Sequence, residues 1–434
     1  MNRYSSLDRE LENMIGDTGT KVPGLGIIVY KDGKEVYSRF LGHRRIGEKH
    51  GEDLPMTRDS RFRIASVSKP FTAFTILQLA EQGKLDPDAD AGYYLGFRLR
   101  NPEAPEIPIT VRMLANHTSS LRDGRIYSIP PERSVREFFV PEGGFWENGA
   151  HFAPRGQSPG KYFKYCNLNY GLLGTIIEAV TGERFDLYQK THILKELEIR
   201  GDYVPGNFSE EEFQKLGTVY QKRNADGVWN EFGPWRGTAD DYHGIRPPED
   251  VIRLQNPYAE NVCGTYSLKD YEPGTNATVF SPTGGLRISC GELAHALEML
   301  MNEGCYRGRR ILAPSSVRRM TGREWTYDAK LCNGSTEGGT LLSYGLGIYR
   351  MDGNSTARLC KDREMDFAGH AGEAFGLVSM LCFRPGTRDG FLCVMNGEAV
   401  AEDEDERSLG RFSGNYIWEE NVADAVCRCI LSVK

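Results

Sequence analysis

Ser66 and Lys69 are the residues of this chain best suited to nucleophilic chemistry, and they stand in the run Ser-Val-Ser-Lys. In a helix, residues three apart lie on one face, so the lysine amine can reach the serine hydroxyl. A serine hydroxyl is a weak nucleophile until a base takes its proton. Lysine serves as that base only when burial or a nearby cation keeps it neutral. The start of a helix also favours negative charge on the serine oxygen, so the pair predicts attack by Ser66 on a carbonyl carbon.

A rival serine, Ser158, fits two patterns and is disfavoured in both. It is three residues before Lys161, but the intervening Pro159 and Gly160 disfavour a helical turn. It also fits Gly-x-Ser-x-Gly, a motif whose oxyanion hole uses the N–H of the residue after the serine. Pro159 has no N–H. We therefore interpret Ser158 as a turn residue.

A second motif, Tyr165-Cys166-Asn167, is the only Tyr-x-Asn of the chain. A tyrosine hydroxyl beside a lysine ammonium can have a lowered pKa and act as a base or proton shuttle. The side chain of Asn167 can hold a substrate amide. The alternative is structural: Tyr165 packs in front of a helix that Asn167 caps.

The third motif, His370-Ala371-Gly372-Glu373, precedes a predicted strand. Histidine can bind a carboxylate or donate to an oxyanion, and glycine allows a substrate to approach the backbone closely. A structural histidine is the alternative. No metal-binding motif, Walker loop or dinucleotide fingerprint is present, so neither a metal nor a cofactor is expected. The other histidines have no ligand spacing: His43, His50, His117, His151, His192, His243 and His295.

Together the three motifs resemble the serine β-lactamase and penicillin-binding-protein family, in the class C-like branch that includes D-stereospecific peptidases, esterases and class C β-lactamases. Their order and separation match that family. The resemblance covers most of the chain except about 200–280. Flanking segments are similar too: Phe62–Ala73, Gly83–Asp86, Ile109–Leu121, Ser158–Gly160, Tyr170–Gly174, Gly284–Leu286 and Tyr344–Gly347.

The resemblance implies a serine hydrolase that forms an acyl-serine intermediate on D-amino acid peptides, D-amino acid amides, β-lactam-like amides or esters. It implies catalysis by Ser66, Lys69 and Tyr165. The backbone N–H groups of Ser66 and Glu373 would form the oxyanion hole. Substrate binding would fall to Asn167, His370, Ala371 and Gly372. Two alternatives stay open: a carboxylesterase that uses the same Ser66, and a penicillin-binding sensor module that acylates without turnover.

Two departures from the family pattern bear on the substrate. True class C β-lactamases have Lys-Thr-Gly as the third motif, whereas this chain has His370-Ala371-Gly372. Efficient β-lactam turnover is therefore not expected. Glu373 stands where the family commonly has a small residue. Its carboxylate would repel an anionic substrate or bind an amine, which leads to the hypothesis that Glu373 favours substrates with a free amino group.

The elements that must position these motifs can be predicted from periodicity and turn signals. Apolar runs around Asp32-Gly33 indicate a hairpin of Leu25–Tyr30 and Glu35–Leu41. Helices are predicted at Ser6–Ile15, Ser66–Gly83, residues 110–115, Leu168–Val180, Gly291–Glu303 and Asn415–Ser432. Strands are predicted at Tyr344–Arg350, Gly376–Arg384 and Gly390–Asn396.

Strands near both ends with helices between them favour an α+β fold, an antiparallel sheet flanked by helices with an inserted, mostly helical domain. The expected division is 1–85 plus 281–434 for the discontinuous sheet domain and 86–280 for the helical domain. Residues 200–280 are weakly periodic and rich in aromatics, including Trp229, Trp235, Tyr242 and Tyr258. We expect them to form an ordered insertion near the active site, with surface padding as the alternative.

The composition of the chain limits the classes of binding partner that can be expected. A net charge of −7 disfavours nucleic acid, which needs a basic surface. No apolar run is long enough to cross a bilayer, so no integral membrane segment is expected. A small-molecule or short-peptide substrate is expected, and the oligomeric state is left open.

All ten cysteines lie from Cys166 onward, several within apolar runs, which indicates buried reduced thiols. Cys427 and Cys429 are too close in sequence for an ordinary structural disulfide. The first ten residues contain no apolar secretory core. Both features predict a cytoplasmic protein, and an exported protein whose signal has been removed is the alternative. The acidic tract Glu402–Glu406 is interpreted as a solvated loop.

Overall fold

The computed structural model describes residues 3–47, 52–256, 259–402 and 404–432. His50 and Tyr258, both considered above, lie outside these ranges. The helices are α1 (Ser5–Glu12), α2 (Lys69–Glu81), α3 (Ala91–Leu95), α4 (Val111–Ala115), α5 (Asn167–Thr181), α6 (Phe185–Tyr188), α7 (Glu210–Phe213), α8 (Cys290–Met301), α9 (Pro314–Met320) and α10 (Ile417–Val426).

The strands before residue 300 are β1 (Gly24–Lys31), β2 (Lys34–Arg45), β3 (Leu54–Pro55), β4 (Arg61–Arg63), β5 (Val219–Lys222), β6 (Trp235–Ala239), β7 (Val251–Leu254), β8 (Gly264–Ser267) and β9 (Arg287–Ser289). The later strands are β10 (Cys305–Tyr306), β11 (Arg309–Arg310), β12 (Trp325–Thr326), β13 (Ser343–Tyr344), β14 (Tyr349–Met351), β15 (Phe367–Ala374), β16 (Leu377–Phe383), β17 (Gly390–Met395) and β18 (Gly397–Glu398).

One antiparallel sheet organises the molecule. Within the described residues its order is β12-β13-β14-β15-β16-β17-β1-β2-β3. The N-terminal strand β1 pairs with the late strand β17, with Ile27 opposite Cys393. The predicted hairpin is confirmed, because β1 pairs with β2 through the turn at Asp32 and Gly33. Strands from distant parts of the chain therefore meet in the interior of the sheet.

Helices cover both faces of this sheet, which explains why strands β16 and β17 are buried throughout. On one face, Ile28 of β1 belongs to a core that includes residues of α2, α5 and α8. On the other face, Ile27 and Val29 of β1 share a core with α1 and α10. The alternation follows from the period of two in a strand. The predicted α+β fold, an antiparallel sheet flanked by helices, is confirmed.

Residues 200–280 form short strands rather than helices over much of their length. Strands β5 and β6 pair with each other, and β5 also pairs in parallel with β18 of the sheet region. Strands β7 and β8 form a separate hairpin. Helices α3 to α7 end before β5, so the helical character expected for 86–280 is confined to its first part. The division into two domains stays a prediction.

Two predicted elements are corrected by the structure. Ser66 lies in a 3-10 turn, Ala65–Ser68, and the α-helix begins at Lys69, because Ala65 has a φ of 46° that an α-helix does not accommodate. The predicted strand Tyr344–Arg350 is two strands, β13 and β14, paired at Tyr344 and Tyr349. Gly347, with a φ of 75°, lies in the turn between them.

The cysteine prediction is wrong in part. Cys360 and Cys427 form a disulfide with a Cα–Cα distance of 5.9 Å. Their 67-residue separation hides the pairing from sequence reasoning, since it arises only when the loop of Cys360 packs against the end of α10. Cys263 and Cys332 are exposed thiols. Among the described helices, none has both the length and the apolar character needed to cross a bilayer.

Candidate active site

Ser66 stands in the turn that leads from β4 into α2, with its side chain partly exposed at a cleft. Strand β15 presses against this turn. A Cβ atom on Gly372 would lie 2.8 Å from the backbone N of Ser66, so only glycine lets the strand approach this closely. The backbone of the third motif therefore lies directly beside the backbone N–H of Ser66.

Lys69, fully buried in the first turn of α2, is the centre of the polar network. Its Nζ atom lies 2.9 Å from the Oγ of Ser66 and 2.9 Å from the Oδ1 of Asn167. The third partner is the backbone carbonyl of Thr283, at 3.2 Å. Burial lowers the pKa of Lys69 to about 7, although Asp123 acts in the opposite direction. A large neutral fraction at neutral pH is what a base requires.

The second motif joins this network through Asn167, which is the first residue of α5 and not its N-cap. The Oδ1 of Asn167 also accepts a hydrogen bond from the hydroxyl of Thr283, at 2.7 Å. Its Nδ2 donates to Asp123 at 3.0 Å. The carboxylate of Asp123 additionally accepts from the backbone N–H of Leu168, at 2.8 Å, and so supplies the cap. Asp123 therefore fixes the start of α5 and the orientation of Asn167.

The pKa of Tyr165 differs from the prediction made from the sequence. Burial raises its pKa well above the usual range, and a hydrogen bond with Ser66 only partly offsets this effect. The ammonium of Lys69 lies over the face of the tyrosine ring, 4.6 Å from its centroid, so the predicted lowering of the pKa is wrong. The hydroxyl of Tyr165 is neutral and can relay a proton only as a hydrogen-bond donor and acceptor.

The third motif lies on β15, where His370 is buried. Its Nε2 is 3.1 Å from the hydroxyl of Tyr344, and its Nδ1 contacts the carbonyl of Ala371. Burial, together with the charge of Lys69, lowers the pKa of His370 to about 3. The imidazole is therefore neutral, and both of its nitrogens have protein partners.

The cleft that joins these motifs has a volume of about 570 Å³. Its lining carries the basic side chain of Arg63 and three acidic ones, Glu337, Glu373 and Glu419. Arg63 is itself 3.7 Å from Asp240, which forms a second, closer ion pair with Arg287. Glu337 pairs with Lys164, at 2.6 Å, and burial raises the pKa of Glu419 to about 8. The ionisable side chains of the lining are therefore mainly acidic, although not all of them are charged at neutral pH.

The predicted site residues lie together in the structure. Lys69 lies directly behind Ser66. The others line the cleft: Ser66, Tyr165, Asn167, His370, Ala371, Gly372 and Glu373. The rival Ser158 is not among the described residues that line it. Its carbonyl accepts from Lys161 N in a turn, at 3.1 Å, in agreement with the predicted turn.

Sequence reasoning missed two members of the network, Asp123 and Thr283. Both stand next to segments already singled out: Asp123 follows Ile109–Leu121, and Thr283 precedes Gly284–Leu286. Their position beside these segments was the sequence signal from which Asp123 and Thr283 could have been found. Nothing in the sequence indicates that Asp123 reaches α5, since the contact spans 44 residues.

Comparison with known proteins agrees with this geometry. The Beta-lactamase family model matches residues 11–414. Protein flp of Staphylococcus aureus (strain MRSA252) is 26% identical over 272 residues, which are 59% of this chain and 51% of flp. Penicillin-binding protein 4* of Bacillus subtilis (strain 168) is 29% identical over 196 residues, 43% of this chain and 39% of that protein. The chain thus spans about half the length of flp and less of the second relative.

Solved structures share the fold. D-amino acid amidase from Ochrobactrum anthropi SV3, complexed with D-phenylalanine, aligns with a TM-score of 0.61 at 20% identity, over 99% of this chain and 100% of that chain. EstCE1, a hydrolase with promiscuous acyltransferase activity, aligns with a TM-score of 0.62 at 18% identity, over 97% and 98%. The resemblance inferred from the three motifs is confirmed, and the chain belongs to the Beta-lactamase family.

Proposed function

We propose that the protein is a serine hydrolase that acylates Ser66 with amide substrates of D-amino acids or short D-peptides. The observation that supports the proposal is the set of hydrogen-bond partners around the Nζ atom of Lys69. A neutral amine has two N–H groups and one lone pair. The carbonyl oxygens of Asn167 and Thr283 take the two N–H groups, and the lone pair is left for the hydroxyl of Ser66, at 2.9 Å.

In this mechanism Lys69 takes the hydroxyl proton while the Oγ of Ser66 attacks the substrate carbonyl carbon. The backbone N–H groups of Ser66 and Glu373 stabilise the oxyanion, which is supported by the close approach of Gly372 to the turn. Collapse of the tetrahedral intermediate breaks the C–N bond, and the proton passes to the leaving amine through Lys69 and the neutral Tyr165. Water then attacks the acyl ester, gives one proton back to Ser66 and releases the carboxylic acid.

The remaining site residues position the substrate and the backbone around it, and they take no part in bond formation or proton transfer. One amide hydrogen of Asn167 is used by Asp123, which leaves the second for a substrate carbonyl. His370, neutral and bonded on both nitrogens, holds the backbone of Ala371 and Gly372 against the substrate instead of supplying charge. The absence of Lys-Thr-Gly agrees with this assignment and with weak β-lactam turnover.

The substrate class rests on the cleft and on the structural likenesses. The fold is shared over full length with a D-amino acid amidase. The acidic lining from Glu373 and Glu419 supports substrates with a free amino group, because an ammonium group beside Glu419 favours the ionised form of this buried carboxyl group. We expect free D-amino acid amides to be hydrolysed faster than their N-acetylated forms, and comparable rates for the two would refute the role of the acidic lining.

The acylation test compares wild type, Ser66→Ala and Ser158→Ala after incubation with a fluorophosphonate or a fluorescent β-lactam. Intact mass should show an adduct in wild type and Ser158→Ala and none in Ser66→Ala. Labelling of Ser66→Ala with loss of labelling in Ser158→Ala would overturn the mechanism. A short-lived adduct indicates turnover, whereas a permanent one indicates a sensor module.

An esterase is the second candidate, favoured by the likeness to EstCE1. Both functions use Ser66, so labelling cannot separate them. Steady-state kcat/KM values for D-phenylalanine amide, L-phenylalanine amide and short acyl esters would do so. Preference for the D-amide supports the first proposal, and turnover of esters alone supports the second.

A further inference from the structure

Behind the cleft, three glutamates from separate segments converge. Glu373 is near the end of β15, Glu398 ends β18, and Glu402 is in the loop that follows. One carboxylate oxygen of each lies within 4.8 Å of the others. We call this group the glutamate cluster. It adjoins the active site through Glu373, while Glu398 and Glu402 are not among the described residues that line the cleft.

Glu398 makes the cluster unusual, because its side chain is completely buried. Within the described part of the chain, no donor side chain or backbone N–H reaches either of its carboxyl oxygens, and one oxygen of Glu402 is in the same state. The hydrogen-bond contact of the Glu398 carboxyl group is with the carboxyl group of Glu402, another acid. A buried carboxylate without a cationic partner is costly, so such a group takes up a proton or binds a cation. Buried charges in proteins are therefore paired or bind cations.

The charges with the largest effect on Glu398 are acidic. They come from Glu402, Glu373 and Glu419. The basic side chains nearby in sequence or strand pairing are engaged elsewhere. Arg407 pairs with Glu231 and Asp405, and the Nζ of Lys222 lies 5.1 Å from the ring centroid of Trp235.

We propose that Glu373, Glu398 and Glu402 bind a single divalent cation, for which Ca²⁺ is the best chemical match. All the ligands are carboxylate oxygens, which hard cations prefer, and nitrogen or sulfur ligands for zinc or copper are not part of the group. Ca²⁺ accepts irregular geometry and bidentate carboxylates, whereas Mg²⁺ demands a near-ideal octahedron. Glu402 is partly exposed and provides the side from which the ion and its waters enter.

The ion would connect three parts of the molecule. Glu373 directly follows Gly372, whose backbone lies against Ser66. Glu398 pairs through β18 with Gln221 of β5, within the segment 200–280. Binding would therefore fix the end of β15 relative to that segment. It would also leave Glu419 as the acidic side chain that meets a substrate amine.

The test measures cation binding to the full chain without substrate, so its result does not depend on the proposed hydrolase activity. Protein treated with EDTA and dialysed is titrated with Ca²⁺ by isothermal calorimetry and with Mn²⁺ by electron paramagnetic resonance. We expect one site, a Tm that rises with Ca²⁺, and an affinity that falls about 10-fold or more in Glu398→Gln. Glu402→Gln, a change at a partly exposed position, provides the same test if Glu398→Gln does not fold.

Glu404→Gln is the matched control, because Glu404 is an exposed carboxylate two residues from Glu402; it should bind Ca²⁺ like wild type. Binding that is unchanged in both Glu398→Gln and Glu402→Gln would place the ion elsewhere and overturn the proposal. Absence of binding up to about 10 mM Ca²⁺ or Mn²⁺ would also overturn it. A Tm that rises in Glu398→Gln with no response to either cation would show instead that the cluster is held by shared protons.

Discussion

The two walls of the cleft treat their polar atoms in opposite ways. On the wall that carries the nucleophile, each polar group of Lys69, Asn167 and Asp123 has a defined protein partner. On the opposite wall, Glu419 has one bonded oxygen at most, and behind this wall Glu398 is buried with no described donor side chain or backbone N–H for either carboxyl oxygen. The first wall is complete within the chain itself, whereas Glu419 and, behind it, Glu398 have carboxyl oxygens that no donor among the described residues satisfies.

This difference between the walls corresponds to two different roles, catalysis on one wall and the binding of positive charge on the other. Reacting groups must be held in one geometry before the substrate arrives, because misplacement of about 1 Å can cost about 100-fold in rate. The nucleophilic wall meets this need with short contacts between buried groups. The acidic wall has carboxyl groups with raised pKa values, which become charged only when a cation or a substrate amine supplies the counter-charge. The four predictions below test whether the walls differ in this way.

The largest effect is expected from Lys69→Met, which keeps the length of the side chain but removes the base. We expect kcat/KM to fall about 10³-fold or more, since general-base catalysis contributes about 10²–10⁴-fold. Lys161→Met is the matched control, because it changes the exposed lysine of the other Ser-x-x-Lys pair. Equal losses in the two variants would contradict the assignment of the nucleophilic wall.

The pH dependence should report the same residue. The Lys69 amine is active when neutral, and burial places its pKa at about 7. Below that value kcat/KM should fall about tenfold for each pH unit as the amine becomes protonated, and above it the rate should level off. Rate measurements from about pH 5 to pH 9 test this. A flat profile would show that a neutral Lys69 is not required.

A smaller effect is expected from Asp123→Asn, which removes a charge and weakens the support of Asn167. Because Asp123 raises the pKa of Lys69, its replacement should move the acid limb of the profile to lower pH. We expect kcat to fall about 10-fold through misplacement, with little change in KM. Asp59→Asn, at an exposed carboxylate, should leave both quantities unchanged. A loss of kcat without a shift of the acid limb would mean a purely structural role.

The smallest effect is expected on the acidic wall. Glu419→Gln removes a buried carboxyl group at the start of α10; burial raises its pKa to about 8, so it is ionised only in part at neutral pH. For a free D-amino acid amide we expect KM to rise about threefold, in line with a loss below about 1 kcal/mol for one partly screened charge. The KM of the N-acetylated amide should not change. An equal rise for both substrates would remove Glu419 from amine recognition.

The sequence was sufficient to predict features that depend on short-range patterns. The hairpin at Asp32-Gly33, helix α5 and the strands β16 and β17 agree with periodicity and turn signals. The three motifs lie together as the resemblance implied. What could not be predicted depends on contacts between distant segments. Asp123 reaching Asn167, the Cys360–Cys427 disulfide and the convergence of Glu398 with Glu373 are of this kind.

Local backbone strain was a further source of error. The positive φ of Ala65 separates Ser66 from the α-helix that the spacing predicted, yet the contact between Ser66 and Lys69 is preserved. Likewise, the sequence predicts a solvated loop for the acidic tract that begins at Glu402, although the carboxyl group of Glu402 lies beside the buried Glu398. Composition reports average exposure, and it does not identify the one residue of a tract that faces inward.

The pairing of β1 with β17 has a consequence for how the chain reaches this structure. The apolar residues of β1 find their second neighbouring strand only when residues 390–395 are available. Pairing of segments so far apart in sequence makes folding slow, because a long loop must close first. Until then the N-terminal hairpin presents an open edge that other chains can join. During synthesis on the ribosome the hairpin must therefore wait until residues 390–395 have been made, and refolding yield should fall steeply as protein concentration rises.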